Sequence, residues 1–119
     1  MKRTRILAGV AALALAVTGS TAAAPTAKPK LVGAVSDPFN ISLTQGGKKV
    51  TSLKAGTYTV VVQDTASDHN LHLKGPGVDK ATSVSGKGTT RWTVKLRKGT
   101  YTYVCDPHAS FMKGSFTVK

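Results

Sequence analysis

The sequence predicts an all-β domain, a sandwich of about seven to eight short strands. Three observations predict it. Beyond residue 30 no stretch repeats apolar residues at helical spacing. Short alternating runs recur there instead. Gly, Asp and Pro separate them.

The elements follow in order. Leu31–Val35 and Phe39–Thr44 are separated by Ser36-Asp37-Pro38, and Gln45-Gly46-Gly47-Lys48 is a turn. Lys54-Ala55-Gly56 is a second turn, leading into the β-branched run Thr57–Gln63. Asn70–Leu73 is a short strand ended by Gly75-Pro76-Gly77, and Thr82–Ser85 is expected to be the next. Thr89–Leu96 and Thr100–Cys105 flank the turn Arg97-Lys98-Gly99, and Ser115–Val118 closes the domain. Leu53-Lys54-Ala55-Gly56-Thr57-Tyr58 resembles Leu96-Arg97-Lys98-Gly99-Thr100-Tyr101, which points to one turn device used twice. Alternation places Tyr101, Tyr103 and Cys105 on one face and Thr102 and Val104 on the other. It likewise places Leu71 and Leu73 in the core, leaving His72 as a surface histidine.

The start of the chain does not read as part of this fold. Lys2, Arg3 and Arg5 precede an uncharged apolar run, Ile6 to Val17, and then the small residues Ser20 to Ala24. That run is too short to span a bilayer comfortably and has the layout of a signal-peptide core. Residues 1–24 are therefore expected to be a Sec-type signal peptide, with an uncleaved anchor as the rival reading. Residues 25–30 are expected to be a flexible leader and 31–119 the domain. The expected location is secreted, periplasmic or cell-surface. The mature chain, roughly 95 residues, is enough for one domain.

The chain carries 17 Lys plus Arg against 5 acids, and every acid is Asp. Without Lys2, Arg3 and Arg5 the balance is still 14 against 5. The basic residues are scattered over turns and alternating strand positions. They read either as a solvated surface or as steering toward an acidic redox partner or an anionic envelope surface. Nucleic acid is not expected, because export removes the target and no aromatic-basic platform is present. A monomer is expected. With no Glu, paired-carboxylate catalysis is improbable, and no nucleophile–base–orienter set competes. The protein is not expected to be an enzyme.

The chemistry is concentrated in Cys105-Asp106-Pro107-His108-Ala109-Ser110-Phe111-Met112, directly after the strand Thr100–Cys105. Cys105 is the only cysteine, so no internal disulfide forms; a lone cysteine in an exported chain implies an intermolecular bond, a reactive thiol or a metal ligand. His108 three residues on favours the metal. His69 heads an upstream strand. Two histidines, one cysteine and one methionine form the ligand set of a blue-copper site. Thiolate and thioether suit Cu(I), and imidazole suits both oxidation states. Zinc is the rival, but a structural zinc site calls for a fourth Cys, His or carboxylate. Asp106 and His72 are the available ones, and neither lies on the expected face. Pro107 stiffens the loop. Phe111 reads equally as core beneath the loop or as part of a surface patch.

Cys105-Asp106-Pro107-His108 through Met112, with His69-Asn70 upstream, resembles the plastocyanin/azurin family of cupredoxins. The resemblance covers essentially the whole mature chain. It implies a Greek-key sandwich, one type 1 copper ion, His69, Cys105 and His108 as equatorial ligands and Met112 as the axial one. It also implies that Asn70 ties the two ligand loops together by bonding to Asp106. By the same resemblance the edge of His108 emerges through an apolar patch where electrons enter and leave, with Ala109 and Phe111 flanking it. Plastocyanins usually have a longer spacing between the second histidine and the methionine, and amicyanins a shorter one. The three residues here, Ala109 to Phe111, lie between. Asp106 stands where a hydroxyl residue is common, and an ionised carboxylate there would favour Cu(II) and lower the reduction potential.

The functional expectation is a small exported electron carrier cycling between Cu(I) and Cu(II). The alternatives are an envelope copper-binding or copper-delivery protein without a redox partner, and a metal-free interaction domain. Three histidines are too few for further copper centres of an oxidase type.

Overall fold

The computed structural model describes residues 27–119. The expected signal peptide and the first two residues of the expected leader, 25 and 26, lie outside the described residues. Among the described residues, ten strands form two five-stranded sheets. They are β1 (Lys30–Ser36), β2 (Asn40–Gln45), β3 (Lys48–Lys49), β4 (Ser52–Leu53), β5 (Gly56–Asp64), β6 (His72–Gly75), β7 (Val78–Ala81), β8 (Gly88–Leu96), β9 (Gly99–Val104) and β10 (Lys113–Val118). One sheet has the order β3-β2-β1-β5-β8, the other β4-β10-β9-β6-β7. β1 pairs with β5 in parallel and β10 with β4 in parallel, and the other pairings are antiparallel. Lys30 already pairs with Thr59, and the Pro29 carbonyl accepts the Thr59 N–H at 2.9 Å. The first strand therefore begins at the end of the segment expected to be leader.

The sandwich agrees with the expected fold class, and the strand count exceeds it. Two of the additional strands, β3 and β4, are only two residues long. One expected strand is misplaced: Thr82–Ser85 is irregular, and the strand lies earlier, at Val78–Ala81. The Pro76-Gly77 turn, with Gly77 at φ +70°, folds β7 directly back on β6. Thr82 ends that hairpin. Its N–H donates to the Leu71 carbonyl at 3.0 Å, while its Oγ1 accepts the Leu71 N–H at 2.9 Å.

The core lies between the sheets. Leu31, Leu43, Val60, Val62, Leu71, Leu73, Leu96, Tyr101, Tyr103 and Phe116 are buried there. Alternation puts them inside: along β9, Tyr101 and Tyr103 are buried and Thr100 and Thr102 are exposed. Tyr101 stacks on Phe116 with ring centroids 5.3 Å apart. Gly75 lies against the Tyr101 ring and Gly114 against the Tyr103 ring, each in the space a Cβ would need.

The repeated hexapeptide is one device used twice. The Tyr58 hydroxyl donates to the Lys54 carbonyl at 2.6 Å, and the Tyr101 hydroxyl to the Arg97 carbonyl at 2.8 Å. Each tyrosine pins the turn four residues upstream and thereby sets where its strand enters the core. For β9 this fixes the strand that leads into Cys105.

Candidate metal centre

Cys105 follows β9 on the same inward face as Tyr101 and Tyr103, and it is fully buried. Its backbone remains extended, at φ −92° and ψ 117°. The chain then tightens into a 3₁₀ turn, Asp106–His108, with Pro107 at its start. Four backbone bonds close the loop. His108 N–H donates to the Cys105 carbonyl at 3.0 Å, and Cys105 N–H to the Met112 carbonyl at 2.9 Å. Phe111 and Met112 N–H both donate to the His108 carbonyl, at 3.1 and 2.9 Å. Cys105, His108 and Met112 are thus held in one rigid loop, and Met112 is buried in the same core cluster as Cys105.

His69 reaches the loop from the segment before β6 and is fully buried. Its Nε2–H donates to the Pro38 carbonyl at 2.8 Å. A proton placed there leaves Nδ1 with its lone pair, and that atom faces the loop. His69 Nδ1 lies 3.1 Å from His108 Nδ1 and 3.7 Å from Cys105 Sγ, and His108 Nδ1 lies 3.6 Å from Cys105 Sγ. Two nitrogens and one sulfur therefore converge on one point. Donors each about 2.0–2.3 Å from a shared ion lie no more than about 4.6 Å apart, and all three separations are shorter. The chemistry of the set, one soft thiolate and two imidazoles, suits copper.

Comparison with known proteins agrees. Residues 39–119 match the model of the family described as copper binding proteins, plastocyanin/azurin family. The chain belongs to this family. It is 35% identical over 121 residues to amicyanin-alpha of Methylorubrum extorquens, covering 97% of this chain and 99% of that one. Reduced rusticyanin superposes with a TM-score of 0.55 at 26% identity, covering 76% of this chain and 78% of that one. Rusticyanin from Thiobacillus ferrooxidans gives 0.54 at 28% identity, over 76% of each chain. The cofactor of this cupredoxin is copper, and its cluster has the two-histidine, one-cysteine composition of a type 1 site with Met112 nearby.

Four of the cupredoxin's five aspartates lie against two histidines. Asp37 Oδ1 and Asp68 Oδ1 lie 3.3 and 3.7 Å from His69 Nε2. Asp64 is buried nearby: its Oδ1 accepts the Ala66 N–H at 2.9 Å, and its Oδ2 has no partner. Burial pushes the Asp64 carboxyl above its ordinary value. The Ala66 N–H and His69 work the other way, and the charges of Asp37 and Asp68 add to the rise. Asp79 and Asp106 flank His72. His72 is consequently not the plain surface histidine that alternation suggested; only 15% of its side chain is exposed.

Asn70 ties the two ligand segments together. Its Nδ2–H donates to Asp106 Oδ2 at 2.8 Å and to the Thr82 carbonyl at 3.1 Å, and its Oδ1 accepts the Asp106 N–H at 2.7 Å. Burial of Asp106 opposes its ionisation. The hydrogen bonds from Asn70 and His72 and the charges of His72 and Lys74 outweigh that and hold its carboxyl below the ordinary value.

Phe111 lies on the surface, 57% exposed, which decides between patch and core. Sequence reading missed its neighbour. Phe39, 54% exposed, packs edge-on against both His108 and Phe111, with centroids 5.3 and 5.2 Å away. It also lies 5.8 Å from the His69 ring. Nothing in the run Phe39–Thr44 distinguished Phe39 from an ordinary strand residue.

Proposed function

We propose that this cupredoxin is an exported one-electron carrier, in which His69, Cys105, His108 and Met112 are the residues that would hold copper. Copper supplies the Cu(I)/Cu(II) couple. The protein supplies rigidity. The Cys105–Met112 loop is closed by its own backbone, the His69 ring is fixed by its bond to Pro38, and Asn70 joins the two segments. Ligands held this way move little when charge changes, which suits fast electron transfer.

One observation carries this reading. His69, Cys105 and Met112 are buried, whereas His108 is only half-buried and sits between the exposed rings of Phe39 and Phe111. The single partly open donor thus lies in an apolar surface patch, which excludes water and fits an encounter with a partner protein. A delivery protein would present its ligands for exchange, and here three of the four are enclosed. The excess of Lys and Arg favours an acidic redox partner or an anionic envelope surface. We further assign residues 1–24 to a signal peptide and the mature chain to a monomer outside the cytoplasm. Among the described residues, no helix is long and apolar enough to cross a membrane.

Protein-film voltammetry of the copper-loaded protein tests the carrier role. A reversible one-electron wave, with copper retained against a competing chelator in both oxidation states, is expected. Irreversible reduction with loss of copper to the chelator would favour delivery.

A further inference from the structure

His72 is the one histidine outside the copper cluster. Both of its ring nitrogens face carboxylates. Nδ1 lies 2.8 Å from Asp106 Oδ1, and Nε2 lies 2.5 Å from Asp79 Oδ1. An ionised carboxylate only accepts hydrogen bonds, and a neutral imidazole has only one N–H. A neutral His72 would therefore set a nitrogen lone pair against an oxygen lone pair at contact distance. The imidazolium, with a donor at each nitrogen, satisfies both.

We propose that His72 is held as the imidazolium and acts as a positioning residue of the copper centre, clamping Asp106 and with it the Cys105 end of the ligand loop to β6 and β7. This deepens the copper-carrier reading above and rests on it. Both carboxylate oxygens and the backbone N–H of Asp106 are held by two residues of one segment. His72 holds Oδ1, Asn70 Nδ2–H holds Oδ2, and Asn70 Oδ1 accepts the Asp106 N–H. The preceding residue is Cys105. The clamp is also electrostatic, because the imidazolium adds to Lys74 in compensating a carboxylate one residue from the thiolate. Once His72 loses its proton, that anion favours the higher oxidation state of the metal, and the reduction potential falls.

The groups facing His72 set its proton affinity. Asp79 faces it from β7 and Asp106 from the ligand loop. Lys74 lies on β6 itself. On β9 its row partner is the uncharged Val104, with Lys113 beyond Val104 on β10. Burial and Lys74 oppose the charge, and the two carboxylates outweigh them, raising the proton affinity above that of an ordinary histidine. The clamp is thus fully formed below about pH 6.5 and released as pH rises through the elevated value.

Two readouts test this. Side-chain ¹⁵N spectra of the full protein, copper-free and as the Cu(I) form, count the ring protons on His72. Two are expected at about pH 7. Voltammetry across pH then compares the wild type with His72→Gln and Asp79→Asn. The wild-type potential should fall in one proton-linked step above about pH 6.5. The step should vanish in His72→Gln and move to lower pH by about one unit or more in Asp79→Asn. A single ring proton on His72 at about pH 7, a wild-type potential without the step, or a step surviving in His72→Gln would overturn the proposal. Absence of a blue band in the wild type would overturn the copper reading instead, and the ring-proton count in the copper-free protein would still decide the state of His72.

Discussion

Asn70 and Asp106 bond to each other twice, side chain to side chain at 2.8 Å and backbone to side chain at 2.7 Å. One follows His69 and the other follows Cys105, so this pair fixes the distance between two strands' worth of ligands. Asn70→Ala removes these bonds and the one to Thr82 from a site that is 1% exposed. The variant should lose roughly 2–4 kcal/mol of stability in urea unfolding. It should also bind copper about 10–100-fold more weakly, as loss of a residue that orients metal ligands typically does. A change below about 0.5 kcal/mol would contradict the tie.

Phe39 and Phe111 should separate recognition from site integrity. Replacing each by Ser should leave the visible spectrum intact. Because both rings are exposed and touch edge-on, stability should change by less than about 1.5 kcal/mol. Electron exchange with a partner, followed by stopped flow, should slow about tenfold, the effect of losing one modest interface anchor. Unchanged exchange would move the docking face elsewhere.

Gly75 and Gly114 are the positions where the tyrosine rings leave no room for a side chain. Gly75→Ala or Gly114→Ala forces Tyr101 or Tyr103 out of place. Each should cost about 1–3 kcal/mol, read from urea midpoints. Tyr103 neighbours Cys105 on their shared face, with Tyr101 one position further along it, so Gly114→Ala should disturb the copper spectrum more than Gly75→Ala.

Asp64 gives the copper-free protein a pH dependence of definite sign. Its folded-state pKa is raised above 3.8, chiefly by burial. The stabilisation from its protonated form is fully present below that value and is lost as pH rises through the folded pKa. Asp64→Asn keeps an oxygen for the Ala66 N–H and removes the buried charge. The stability difference between variant and wild type should therefore shift in the variant's favour between about pH 4 and pH 7. A difference independent of pH in urea titrations would contradict this.

Much of the site was legible because ligand chemistry is concentrated in one loop and one strand end. Alternation along β9 put Cys105 on the same inward face as Tyr101 and Tyr103, and it is buried with them. It was also His69, not His72, that the structure brought within reach of Cys105 and His108. The Asn70–Asp106 bond followed from the family resemblance. Other features left no local signal. β3 and β4 are two residues each, too short for any periodicity. Thr82–Ser85 has strand composition, yet the two-residue turn at Pro76-Gly77 uses up the pairing of β6 before that run is reached. The roles of Phe39 and Asp79 depend on side chains meeting histidines thirty and seven residues away in sequence, His69 and His72. The spacing between His108 and Met112 is closed by the Met112 N–H bond to the His108 carbonyl, a local feature that spacing alone did not show.

The central claim is that Cys105, His69 and His108 bind one copper ion. A copper(II) titration of the protein, followed by visible absorption and electron paramagnetic resonance, tests it most directly. An intense blue band with narrow copper hyperfine splitting is expected, saturating at one equivalent, abolished by Cys105→Ser and His69→Ala and retained in His72→Gln. A weak, colourless or purely type 2 signal, or a blue band that survives Cys105→Ser, would contradict the account.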